Sequence, residues 1–103
     1  EQQEVYETRI VSSYPNPFNP TVTLDFTLEN DSYVNIDVYN ILGQKVVSLF
    51  KGDRLSGENS IMWNGKNTNG EMVSSGSYFI SILNENTHLI QKVTLMKWEN
   101  FYL

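Results

Sequence analysis

"TVTLDFTL", residues 21–28, alternates without a break: Val22, Leu24, Phe26 and Leu28 share one side, and Thr21, Thr23, Asp25 and Thr27 the other. Successive side chains of an extended chain point in opposite directions, so this period of two marks a strand with one face on a core. Downstream, "ENDS" (29–32) is a turn cluster, and "YVNIDVYNI" (33–41) repeats the alternation with Val34, Ile36 and Val38 inward. In "KVVSLF" (45–50) Val46 and Leu49 depart from strict alternation, which predicts a bulge or an irregular edge. Between these stretches, "LGQ" (42–44) supplies Gly43 for a positive φ.

Further on, "KGDRLSGEN" (51–59) reads as loop and "SIMWNG" (60–65) as a strand ending at an Asn-Gly turn. "KNTNGEMVSSG" (66–76) reads as a second polar loop. "SYFISIL" (77–83) and "HLIQKVTLMK" (88–97) form a hairpin across "NENT". No segment holds a helical period. About seven short strands at regular spacing predict an all-β fold, an immunoglobulin-like antiparallel β-sandwich.

The 103 residues fit one domain. Residues 1–9 read as a polar lead or linker with Val5 and Tyr6 as edge contacts, 10–97 as the sandwich, and 98–103 ("WENFYL") as an aromatic extension. The net charge is −5, and the lysines at 45, 51, 66, 92 and 97 are scattered. Nucleic acid and membrane insertion are therefore not expected. The absence of cysteine excludes disulfides, thiolate metal sites and cysteine nucleophiles. "EQQEVYETR" (1–9) lacks the basic start and apolar centre of a signal peptide, so an export address is expected upstream in a longer parent or within the domain itself.

Chemistry finds few footholds. His88 is the single histidine, expected at an exposed strand end, and one imidazole cannot build the usual zinc sites. Asp25 and Asp37 are expected on the polar faces of neighbouring strands, without the apolar pocket that would raise one carboxyl for acid catalysis. In "GKNTNGEM" (65–72) a calcium loop would start at Gly65 and end at Gly76, where ligands are required. Asn67 and Asn69 are therefore read as closing turns through their own backbone. Trp63 shares a strand face with Ile61 and is expected in the core, while Tyr33 and Tyr39 are a candidate sugar platform. No catalytic residue, metal ligand or cofactor is expected.

The stretch before the first long strand, "SSYPNPFNP" (12–20), holds all three prolines of the chain. Proline fixes φ, lacks an N–H and biases the preceding residue towards extended backbone. Tyr14, Pro15, Asn16, Pro17, Phe18, Asn19 and Pro20 therefore read as a rigid joint, setting the angle to an upstream domain, with Phe18 and Tyr14 pinning it to the sandwich.

"SYPNPFNPTVTLDFTL" is followed in order by "VNIDVYNILGQKVVSL", "WNGKNTNGEMVSSGSYFISI" and "QKVTLMK". This series resembles the family of type A carboxy-terminal sorting domains of type IX secretion substrates, together with the immunoglobulin-like domain of the flagellar hook-capping protein. The resemblance covers about residues 12–97. It implies a non-catalytic sandwich appended to a large exported bacterial protein, in transit through the periplasm and then at the cell surface or outside. It also implies the secretion translocon and sortase components as partners. "KVTLMK", Lys92, Val93, Thr94, Leu95, Met96 and Lys97, is similar to the strand that carries the sorting signal. The further readings are a structural assembly module of the hook-cap kind and a carbohydrate-binding accessory of a secreted hydrolase.

Overall fold

The computed structural model describes residues 5–85 and 87–97. Seven strands run in chain order: β1 Arg9–Tyr14, β2 Val22–Leu28, β3 Ser32–Tyr39, β4 Lys45–Arg54, β5 Gly57–Trp63, β6 Gly76–Leu83 and β7 His88–Leu95. Their ladders are antiparallel and form two sheets, ordered β1-β2-β5 and β4-β3-β6-β7. This is the immunoglobulin-like sandwich that the alternation predicts.

The two alternating stretches face each other across the sandwich. Val22, Leu24, Phe26 and Leu28 of β2 are buried against Val34, Ile36 and Val38 of β3 and Ile80 and Ile82 of β6, in one continuous core. Area removed from water is what holds such a small domain together, at roughly 25 cal/mol per Å² of apolar surface. Polar partners close the ends of the core. Asp31 Oδ1 accepts the Ser56 N–H at 2.7 Å, which ties the β2–β3 turn to the β4–β5 turn.

Two expectations change. Of residues 51–59, read as loop, 51–54 continue β4 as an edge strand paired with Ser32–Asn35, and 57–59 begin β5, paired with Phe26–Leu28. An edge strand with a wet outer face needs no apolar alternation, so "KGDR" gives no strand signal. Its Arg54 guanidinium stacks over the Phe50 ring at 4.3 Å instead. Asp25 and Asp37 also stand apart, in different sheets, because β2 and β3 cross between layers and do not pair. The expected irregularity of β4 is present: its register against β3 shifts at Ile36/Asp37 and at Val38/Tyr39.

Candidate functional site

The prolyl block follows β1 and precedes β2, so it lies between two strands of the sandwich. Its path carries the chain from one sheet to the other. β1 pairs with β2, and four residues later Phe18 forms a parallel bridge with Leu95 of β7. The Phe18 N–H donates to the Thr94 carbonyl at 2.8 Å, and the Met96 N–H donates to the Phe18 carbonyl at 2.9 Å. Asn16 adds a side-chain clamp. Its Oδ1 accepts the Thr94 N–H at 3.0 Å, and its Nδ2 donates to the Lys92 carbonyl at 3.2 Å. The two stretches singled out in the sequence are thus one structural unit, a strap laid along the outer edge of the last described strand.

Phe18 anchors the strap in the core, at 1% exposure, while Pro15, Asn16, Pro17, Asn19 and Pro20 stay on the surface. Tyr14, expected as a second pin, remains 49% exposed at the end of β1. A hydrogen bond to Asp25, followed by slight desolvation and the nearby carboxylate charge, raises its phenol pKa above the ordinary value. The reason for the difference is register: Tyr14 pairs with Thr23 and shares the wet face of its sheet.

On β7, Val93 and Leu95 are core residues, Thr94 is half-buried and Lys92 is exposed; Met96 and Lys97, just past its end, are exposed. The Lys97 N–H donates to Ser75 Oγ at 3.0 Å.

Beneath the strap an aromatic row fills the core. The Phe18 and Trp63 ring centroids are 5.4 Å apart, and those of Trp63 and Tyr78 are 5.2 Å apart in edge-on contact. Trp63 Nε1 donates to the Lys66 carbonyl at 3.0 Å, and the Tyr78 hydroxyl to the Ser74 carbonyl at 2.6 Å, so both buried aromatics have their polar atoms satisfied. Gly65 closes this end: at φ +75, a Cβ there would lie 3.0 Å from the Pro20 carbonyl oxygen and 3.0 Å from Met72 Sδ. The prolyl block, the Trp-Asn-Gly turn, the Ser-Gly-Ser-Tyr stretch and the β7 strand therefore converge on one end of the sandwich. The remaining block reaches it through Thr68, whose N–H donates to the Val46 carbonyl at 3.1 Å.

The other candidates resolve as follows. Trp63 is buried, and Tyr33 and Tyr39 sit at opposite ends of β3, about 20 Å apart at the rise of a strand, so they share no sugar platform. Asn67 Oδ1 accepts the N–H groups of Asn69 and Glu71, both at 3.0 Å, which is the turn-closing role expected of it. His88 is an exposed strand-end residue whose Nε2 lies 2.7 Å from Ser81 Oγ. Asp37 stands opposite Ser81 in register, not behind His88, so these three do not form the relay that orients a catalytic imidazole. Among the described residues no cluster of three or more His, Asp or Glu could hold a metal ion.

An immunoglobulin-like sandwich with a prolyl strap on its last described strand defines a class of compact accessory domain. The family is shown directly. The model of the "Secretion system C-terminal sorting domain" matches residues 12–96, and the chain belongs to that family. It is a type IX sorting module, a piece of a larger exported substrate destined for the cell surface or the extracellular space.

Two solved structures share the fold, both from Porphyromonas gingivalis. Dimeric latent PorU is 17% identical with a TM-score of 0.67, over 86% of this chain and 9% of that one. PorZ, described as an essential bacterial surface component of the type IX secretion system, is 18% identical with a TM-score of 0.56, over 84% of this chain and 11% of that one. No curated protein matches the chain.

Proposed function

We propose that the domain does its work by surface recognition without catalysis. The exposed side chains of the Lys92–Lys97 stretch are read by the secretion translocon and then by sortase components. The observation that carries this reading is the division of labour along β7. Val93 and Leu95 hold the strand in the core, while Lys92 on the strand and Met96 and Lys97 just past its end are exposed, next to the strap. A signal read by a partner needs fixed geometry and free side chains, and this stretch has both. Tyr14 through Pro20 act here as a rigid joint within the domain. Proline fixes φ at three positions, and Phe18 and Asn16 tie the segment to the signal strand.

The test fuses the chain behind a reporter bearing a signal peptide, in a bacterium with type IX secretion. The wild-type fusion is expected at the surface or in the medium. Replacing only the exposed residues, Lys92→Glu, Met96→Asp and Lys97→Glu together, should leave the reporter in the periplasm while the domain keeps its thermal transition. Normal export of that folded variant would remove these residues from the signal.

A further inference from the structure

We propose that the open stretch of the β7 edge, His88 to Lys92, is a strand-addition site for one short extended segment of a partner protein. Thr94 turns both backbone groups away from β6, towards Asn16 and Phe18. Antiparallel pairing alternates, and the β6–β7 register is unbroken over its whole length, so His88, Ile90 and Lys92 turn theirs the same way. The Lys92 carbonyl is taken by Asn16 Nδ2 and by Gln91 Nε2. The Lys92 N–H and both groups of Ile90 and His88 face outward, and no described strand or loop pairs with them. The strap sets one limit of the site and the start of β7 the other, leaving about 14 Å at the rise of a strand, enough for about five residues.

The other three edges are blunted in the ways by which proteins prevent unwanted pairing. β1 breaks register between Ile10 and Ser12 and runs into Pro15. β4 carries its two register shifts, and its Val46 carbonyl is taken by Thr68. On β5 the Arg54 guanidinium covers the Ser60 carbonyl at 3.2 Å. Among the described residues, only β7 keeps a regular stretch of edge without backbone partners. Its neighbours fix the chemistry of the occupant. Ile90 is 57% exposed on the outer face, and the exposed Lys92 lies two residues on. An incoming strand gains most with an apolar residue beside Ile90 and a carboxylate within reach of Lys92.

The site itself is independent of the sorting reading; only the choice of probe rests on it. Amide exchange is measured on the purified domain, alone and with detergent-solubilised outer membrane from a bacterium with type IX secretion. Alone, the Ile90 and Lys92 amides should exchange at least tenfold faster than those of Thr94 and Met96. With the membrane extract, Ile90 and Lys92 should gain at least tenfold protection. Ile90→Pro removes an outward N–H that the sheet does not use and should abolish the gain, whereas Ile90→Thr, which keeps the N–H, should retain it. Lys92→Glu, which keeps the backbone, should cut the gain and guards against misfolding of the proline variant.

Slow exchange at Ile90 in the free domain, or no added protection with the extract, overturns the site. The same protection on adding unlabelled domain alone makes the occupant a second copy and overturns the partner assignment. Protection gained by a wild-type domain that is never exported leaves the edge standing and overturns the function proposed above.

Discussion

Asn16 holds Thr94 across nearly the whole chain: the Asn16 carboxamide oxygen accepts the Thr94 N–H at 3.0 Å. With the second bond from its Nδ2 to the Lys92 carbonyl, one side chain mimics a strand partner for the outer edge of β7. The prolines on either side have no N–H to offer, so the carboxamide supplies the pairing that the backbone cannot. Asn16→Ala should cost about 1–2 kcal/mol, the net worth of two hydrogen bonds of this kind. The Thr94 amide should lose protection in exchange measurements while the Ile80 and Ile82 amides keep theirs. Asn16→Asp should keep the Thr94 bond and lose only the one to Lys92. Equal protection of Thr94 in wild type and Asn16→Ala would show that the Phe18 backbone holds the strap alone.

Trp63 is the centre of the aromatic row, in contact with both Phe18 and Tyr78. Trp63→Ala should destabilise the domain by about 3–5 kcal/mol, the usual range for emptying a large buried aromatic site. Trp63→Phe keeps much of the volume but leaves the Lys66 carbonyl without its Nε1 donor, so its loss should be smaller. The denaturant midpoint measures both. Because Phe18 packs on Trp63, Trp63→Ala should also raise amide exchange at Met96, which donates to the Phe18 carbonyl.

Two glycines in similar backbone conformations separate strain from crowding. Gly65 and Gly70 have φ of +75 and +81, so alanine at either pays the left-handed penalty of about 1–2 kcal/mol. At Gly70 nothing lies within 4 Å of the added Cβ, whereas at Gly65 the Pro20 carbonyl oxygen lies 3.0 Å away and is backbone that must shift. Gly65→Ala should therefore be the worse of the two by a further 1–3 kcal/mol or so, the ordinary cost of overpacking. It should also loosen the strap. Equal losses at the two sites would mean that Pro20 moves freely.

Much of this architecture is legible along the chain, because its signal is local. Val22 through Leu28 and Val34 through Val38 declare two core strands by alternation alone, and Trp63 declares its burial by sharing a face with Ile61. The strap is not legible in that way. A parallel bridge between Phe18 and Leu95 joins residues with no local relation, and proline signals stiffness, not where the chain leads. One signal was present: Phe18 is a single large apolar residue among prolines and asparagines, with no local neighbour to bury it, so its burial needs a distant partner. The extension of β4 was hidden for the opposite reason, since Lys51 and Asp53 face water on an edge strand and Arg54 covers Phe50 without being apolar, so no pattern remains. Alternation places Asp37 on the outer face of β3 and gives no sign of its burial. Its place in a central strand, between β4 and β6, buries it, with Lys45 at 3.7 Å as its ion-pair partner and Oδ1 unpartnered.

That unpartnered oxygen carries a prediction of its own. A buried carboxylate with a long ion pair to a half-exposed lysine recovers little of its desolvation cost. Asp37→Val matches the β-branched preference of a central strand and removes the orphan atom. The variant should be neutral or up to about 2 kcal/mol more stable, whereas Lys45→Ala should cost no more than about 1 kcal/mol. Thermal transitions of the two variants decide the matter. A clear loss of stability in Asp37→Val would mean that the carboxylate is satisfied in solution, by water or by Ser81.

Alkaline pH should act on the same end of the sandwich as the Trp63 and Gly65 substitutions. The Tyr78 hydroxyl donates to the Ser74 carbonyl, and burial raises its pKa above the ordinary phenol value of 10.0. A raised folded-state pKa means that the folded domain holds this proton more tightly than the unfolded chain does. The stability it contributes is complete below the unfolded value and is lost as pH rises from there through the folded pKa. Ionisation would also replace a donor by an anion facing the Ser74 carbonyl, so the hydrogen bond fails at the same step. The midpoint of urea unfolding should therefore fall as pH is raised above 10. In Tyr78→Phe, which lacks the proton, the midpoint should start lower and fall less steeply. Tyr14→Phe separates the two phenols, since the Tyr14 pKa is raised chiefly by its bond to Asp25 on an open face. Removing Tyr14 should leave most of the alkaline slope in place. Parallel slopes for wild type and Tyr78→Phe would assign the alkaline loss to other groups and leave the Tyr78 hydroxyl with a purely geometric role at the base of the strap.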